Sequence, residues 1–191
     1  PASSPRARGA GVRLLEETRL KTGAPAGFNP FALPYSAAHA NYLHDRVRLL
    51  ACGGGGGNWD AKASREVEEG IKAVYSVSPD NRRLASLVQF LDGTQVGGVA
   101  ERLRPWVGEG RFAWAFDNRE DSLQLGRLTA FDVTEFLDHP DLRTPITSYL
   151  LYRTEPLIDG PTFAPWHAEF WKIPDAPHLA GLAGDKLKTC H

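Results

Sequence analysis

His167 and Glu169 stand two positions apart near the C-terminal end of the chain. At that spacing a histidine can bind zinc while a glutamate shuttles protons, as in the zinc deaminases. The same chemistry needs a Pro-Cys-x-x-Cys run downstream. Only Cys190 follows, so two of the three ligands are missing and a strand-end histidine is the plainer reading. A zinc-dependent hydrolase using His167 and Glu169 is kept as a distant alternative. Asp117 and Asp132 each follow an apolar run, Phe112–Phe116 and Leu128–Phe131. Carboxylates at the ends of strands serve catalysis in many α/β folds, and they also serve as plain caps. Asp132-Val133-Thr134 lacks the second aspartate of phosphatases that use Asp-x-Asp-x-Thr, so both aspartates are read as structural first.

The run Gly53 to Gly57 invites a phosphate-loop reading, because backbone N–H groups of glycine-rich loops cradle phosphates. The lysine and hydroxyl that complete such a loop are absent, since Asn58-Trp59-Asp60 follows. The run also follows a helical pattern, where a P-loop follows a strand. It reads as a linker. No serine sits in a Gly-x-Ser-x-Gly elbow. Trp106, Trp114, Trp166 and Trp171 are read as packing residues, in preference to a base-stacking platform.

The elements that must position these residues follow from periodicity. Leu43, Val47 and Leu50 fall on one helical face, with Ser36 as N-cap and the glycines as terminator. A second helix runs from about Asp60 with Val67, Ile71, Val74 and Tyr75. Asn81 is expected to cap a third, carrying Leu84, Leu87, Val88 and Leu91, and Val99, Leu103 and Trp106 mark a fourth. Residues 36–107 thus read as a compact all-helical unit. Beyond Gly108, Phe112–Phe116 and Leu128–Val133 read as buried strands, and helical spacing returns from about Arg143 through Ile146, Leu150 and Leu157. Asp159-Gly160-Pro161 should stop that helix. Phe163–Phe170 is a further strand candidate carrying Pro165, which removes a ladder donor. A weak helix is expected within 174–191. Val12–Leu15 is a possible strand near the start, and Gly23–Gly27 is turn chemistry. The order predicts an α/β layer with an inserted helical subdomain.

Twenty-two basic and 23 acidic residues leave a formal charge of −1, so a polyanion partner has no electrostatic support and direct nucleic-acid binding is not expected. Cys52 and Cys190 are too few for a disulfide framework and read as reduced thiols of a cytoplasmic protein. No apolar stretch is long enough to span a bilayer, and the first residues lack the apolar core of a signal peptide. Methionine is absent even at position 1, so the 191 residues are not expected to be a complete translation product.

A set of ordered segments carries a resemblance. Phe112-Ala113-Trp114-Ala115-Phe116-Asp117-Asn118 leads to Phe131-Asp132-Val133-Thr134-Glu135-Phe136-Leu137 and then Arg143-Thr144-Pro145. Tyr149-Leu150-Leu151-Tyr152-Arg153-Thr154-Glu155, Asp159-Gly160 and Glu169-Phe170-Trp171-Lys172 follow. Upstream, Gly27-Phe28-Asn29-Pro30-Phe31 supplies a Gly-x-Asn-Pro turn, and Leu187-Lys188-Thr189 lies near the end. In this order they resemble the ATPase domain of the CagE–TrbE–VirB family of bacterial type IV secretion and conjugation.

The resemblance implies a RecA-like P-loop α/β core with an inserted all-helical subdomain. Residues 1–35 would be a core-edge segment, 36–107 the insertion, and 108–191 the return to the core with a Walker B-like strand. It implies ATP and Mg²⁺ as cofactors, a homo-hexamer with other inner-membrane secretion components, and a peripheral site on the cytoplasmic face of the bacterial inner membrane. Glu169 corresponds to the glutamate that polarises the attacking water. Ala168 occupies the position of the aspartate that orients the magnesium shell, so no metal ligand is assigned. The family's Walker A loop lies upstream of this region. Phosphoryl transfer depends on those parts, so the chain alone is expected to be inactive. The rival expectation is a non-catalytic docking remnant of the same family.

Overall fold

The computed structural model describes residues 27–53, 59–123, 125 and 139–158. Six helices occur among the described residues: α1 (Ala37–Cys52), α2 (Ala61–Ser76), α3 (Leu84–Phe90), α4 (Val99–Arg102), α5 (Ala113–Phe116) and α6 (Pro140–Ile158). Short 3₁₀ turns at Pro30–Ala32, Pro79–Asn81 and Arg104–Trp106 punctuate them. No strand occurs among the described residues. The expected α/β architecture, a RecA-like core around a helical insertion, is therefore corrected: the described fold is helical.

The reason is visible at Phe112–Phe116. A five-residue apolar run is compatible with a buried strand or with one turn of buried helix. Here the turn prevails because local bonds satisfy the backbone. Ala113 N donates to Gly110 O, Ala115 N to Phe112 O and Asp117 N to Ala113 O. The other strand candidates, Val12–Leu15, Leu128–Val133 and Phe163–Phe170, lie outside the described residues, as do the Asp159–Pro161 stop and the expected C-terminal helix.

The first two helices form as their periodicity predicts. The Ser36 hydroxyl accepts from His39 N, and Gly53 closes α1 in the left-handed region at φ 58°, its N–H bonded to Leu49 O. Asp60 caps α2 through Ala63 N at 2.7 Å. α2 buries Val67, Ile71 and Val74, and its widest contact is with α3, which presents Leu84 and Leu87. Each such side chain contributes about 1.5–3 kcal/mol by leaving water. Gly70 lets the two helices close: a Cβ there would lie 2.8 Å from Leu87 Cδ1.

α3 starts later than expected. Asn81 ends a 3₁₀ turn, Arg83 is the N-cap, and it offers no side-chain cap. α4 is a single turn followed by the Arg104–Trp106 turn, and Leu103 and Trp106 are buried as anticipated. α6 begins at Pro140, a residue suited to the first helical position because its missing N–H has no intrahelical partner there. It continues through Pro145 and Pro156.

One apolar core gathers residues distant in sequence. Phe28 lies 4.9 Å from Tyr149 and 5.7 Å from Phe116, centroid to centroid, and both α1 and α6 contribute to the same cluster. None of the described helices is long and apolar enough to cross a membrane.

Candidate functional site

The segment Gly27–Pro30 is wired into the fold by its backbone. Phe28 N donates to Ala115 O at 2.8 Å, and the Ser122 amide and hydroxyl both donate to Gly27 O. Asn118 Nδ2 reaches Phe28 O and Trp114 O. Position 27 must be glycine here, since a Cβ would stand 2.0 Å from Trp114 O. Asn29 is fully buried. Its Oδ1 accepts from Phe31 N, while Nδ2 donates to Arg82 O at 2.7 Å and Arg119 O at 3.0 Å. The Gly-x-Asn-Pro turn is thus a junction between the segments at 82 and 119, and its asparagine is saturated with partners.

The densest chemistry lies in the seam between α1 and α6. Asp121 accepts from both Tyr149 OH and Arg153 Nη1, and all three are largely withdrawn from water. Burial, then the Asp121 charge, pushes the Tyr149 hydroxyl far above its ordinary value, so it stays protonated and donates. Burial works against the Arg153 charge, but Tyr149 and Asp121 outweigh it and hold its pKa up.

One turn further along the seam, His39 Nε2 lies 3.0 Å from Pro30 O and Nδ1 lies 2.7 Å from Tyr152 OH. A carbonyl only accepts, so the proton sits on Nε2, and Nδ1 accepts from the tyrosine. Burial lowers the His39 pKa, with the Arg153 charge acting in the same direction against the Pro30 bond. Tyr42 stacks on Tyr152 at 3.5 Å between centroids and 5° between planes. Burial raises its hydroxyl to about 12.

The aspartate expected at a strand end has a different duty. Asp117 follows α5, its Oδ1 accepts from Ala85 N at 2.8 Å, and its Oδ2 accepts from Gly108 N at 2.9 Å. It supplies the cap that α3 lacks locally, from 32 residues away. This is the structural role the sequence favoured for it, reached through a helix in place of a strand. Trp106 is buried and donates to Leu50 O at 3.1 Å, which is packing and not a stacking platform.

Glu169, Ala168, His167, Pro165, Asp132, Cys190, Trp166 and Trp171 lie outside the described residues, as do residues 54–58 of the glycine run and its flank. α6 is the described element nearest to Glu169 in sequence. Among the described residues no three His, Cys, Asp or Glu side chains are grouped to hold a metal ion. A cleft of about 290 Å³ is lined by Cys52, Asp60, Lys62, Glu66, Gln95 and Arg102 among others. Lys62 Nζ is bonded to Gln95 Oε1 and the Arg102 guanidinium to Cys52 Sγ at 3.5 Å, so cations and carboxylates share the cleft and no single-sign ligand site results.

Sequence reading missed His39, Arg46 and Asp121. The signal for two of them was present. His39 and Arg46 fall on the same helical stripe as Leu43, Val47 and Leu50, so each is a polar residue placed on an apolar face. Asp121 sits in a polar run whose burial only the return of α6 decides.

These features define a helical module closed by buried polar contacts between sequence-distant segments. No family model matches the chain. It is similar to the type IV secretion system protein virB4 of Brucella abortus, 33% identical over 183 residues, covering 89% of this chain and 22% of that protein. The virB4 protein of Bartonella quintana is 31% identical over 172 residues, with 89% and 22% covered. The type IV secretion system protein PtlC of Bordetella pertussis is 31% identical over 181 residues, with 90% and 22% covered. The chain belongs to this VirB4/PtlC family of type IV secretion system proteins, and it spans about a fifth of the length of the curated relatives it matches.

Proposed function

We propose that this chain forms the helical part of a type IV secretion ATPase, a protein that couples Mg-ATP hydrolysis to pilus assembly and to export of DNA or protein. The supporting observation is the similarity to type IV secretion proteins along 89% of the chain. In this reading the whole protein works as a hexamer on the cytoplasmic face of the inner membrane, with other secretion components as neighbours. Glu169 is its water-polarising glutamate.

The chain alone does not turn over ATP. Position 168 holds alanine where the family carries the magnesium-orienting aspartate, and no Gly-x-x-x-x-Gly-Lys-Ser/Thr run occurs in the 191 residues. Phosphoryl transfer is almost entirely positioning and charge stabilisation by such groups. Phosphate release from the purified chain with Mg-ATP should stay at the no-enzyme background, and EDTA-sensitive turnover would overturn this.

Ala168 also favours a second reading, a docking module that has lost hydrolysis. The two part in a chimaera in which this chain replaces the matching segment of a VirB4 relative. If Ala168→Asp restores hydrolysis and secretion there, the segment serves a working ATPase. If hexamers assemble and hydrolysis stays absent with aspartate in place, the docking reading holds.

A further inference from the structure

A serine inside a helix commonly turns its hydroxyl back onto a carbonyl of the preceding turn. Ser76, in the last turn of α2, does so, with its Oγ 2.7 Å from Ala73 O. Ser64, in the first turn of the same helix, behaves differently. Its Oγ meets His44 Nε2 at 2.8 Å, across the contact between α1 and α2. The opposite ring nitrogen, His44 Nδ1, lies 3.6 Å from Asp45 Oδ1. A carboxylate only accepts, so the imidazole proton is held on Nδ1, and Nε2 accepts from the Ser64 hydroxyl.

A hydroxyl bonded to a base whose far side faces a carboxylate is the arrangement that activates a serine, and it is recognised by geometry whatever the order in the chain. The surroundings set how far the activation goes. Asp45 is 80% exposed, so solvent screens its charge and it orients the ring more than it adds basicity. Glu68, whose charge also reaches His44, is held by Lys72 Nζ at 2.7 Å. The Trp59 ring stands edge-on to the imidazole at 5.7 Å and covers one side of it. Ser64 itself is half-buried, and the cleft beside Cys52 is lined by other residues, so the pair is reached from the surface. The Ser64 amide is bonded to Asp60 O and cannot serve an oxyanion. An ester oxygen is therefore left to water, and only a good leaving group lets the acyl group transfer.

We infer that Ser64 is an acyl-acceptor site with His44 as its general base, and that the substrate class is a small ester with a good leaving group. Ser64 Oγ bonds to the ester carbonyl carbon as His44 Nε2 takes the hydroxyl proton. The bond from that carbon to the leaving oxygen then breaks, and the leaving group departs with the electron pair and receives the proton from His44 or from water. The acyl group remains on Ser64 until water, deprotonated by the same histidine, removes it.

The test is 4-nitrophenyl acetate added to the purified full chain, with 4-nitrophenol release followed by absorbance and the acetyl group mapped by mass spectrometry after an acid quench. The acetyl group is expected on Ser64 and absent from Ser64→Ala. His44→Gln should slow its appearance about 100-fold, the loss typical of a removed general base. A wild type with no acetyl on Ser64 and no release above that of Ser64→Ala overturns the inference, as does a His44→Gln rate within about tenfold of the wild type. Should the variants not fold, the wild type decides through its own internal reference. Ser76 lies exposed on the same helix with its hydroxyl turned back onto Ala73 O. Acetylation of Ser64 at least about tenfold faster than that of Ser76 supports the assignment, and a smaller ratio means that His44 and Ser64 are joined only as a link between helices.

Discussion

The α2–α3 contact and the α1–α6 seam are both helix pairs closing on the same core, yet they are held by different physics. α2 and α3 meet through Val67, Ile71, Val74, Leu84 and Leu87 over Gly70, apolar side chains whose attraction has no direction. α1 and α6 meet through Arg46, Tyr42, His39, Tyr149, Tyr152 and Arg153, each aimed at a particular acceptor or ring. The first contact joins neighbours in the chain and tolerates small repacking. The second joins residues about a hundred positions apart, and its energy depends on pairs whose members are costly to leave alone.

The largest effect is expected at Asp121. Asp121→Ala leaves Arg153 buried without its carboxylate and should destabilise the chain by about 3–5 kcal/mol. Chemical denaturation measures this, and the Asp121→Ala/Arg153→Met double variant should recover part of the loss. A double variant as unstable as the sum of the singles would mean the pair is not the hinge of the seam. Leu87→Ala tests the apolar contact and should cost about 3 kcal/mol, with a loss that grows with the cavity left against α2. Its effect should add to that of Asp121→Ala if the two helix pairs are energetically separate.

Asp117→Ala removes the distant cap of α3 and frees Ala85 N and Gly108 N, for an expected loss of about 1–2 kcal/mol. Amide exchange should then speed up at Ala85 and Gly108 while α1 is unchanged. The smallest effect concerns pH. Burial lowers the His39 pKa in the fold, so the unfolded chain takes up the proton first as pH falls below the ordinary histidine value of 6.5. The stability that depends on neutral His39 is complete above that value and is lost as pH drops toward the lowered one. His39→Phe should flatten this part of the stability–pH curve, and an unchanged slope would show that another group titrates there.

How much of this was legible varies by element. α1 was readable because a cap, a 3.6-residue stripe and a glycine terminator coincide, and α2 because a 3.6-residue stripe follows Asp60. α3 was located but misplaced at its start, since the cap comes from Asp117 and no local pattern carries that information. Phe112–Phe116 was misread as a strand because short apolar runs have no period to separate the two states. α6 was expected from about Arg143 and begins at Pro140, where a proline suits the first turn. Of the candidate site residues, Asp117 and Trp106 proved structural, and Glu169 and Ala168 lie outside the described residues.

The sequence by itself determined the first two helices, the termination of α1 at Gly53 and the kinship with type IV secretion proteins. Those depend on local periodicity, caps and residue order, all of which are written along the chain. Only the tertiary structure decided that the described architecture is helical, that Asn29 is a junction, and that Arg46, His39, Asp121 and Arg153 are interior groups. Burial of a charge depends on which distant carbonyl, ring or carboxylate is brought beside it, and that is a property of the folded chain alone.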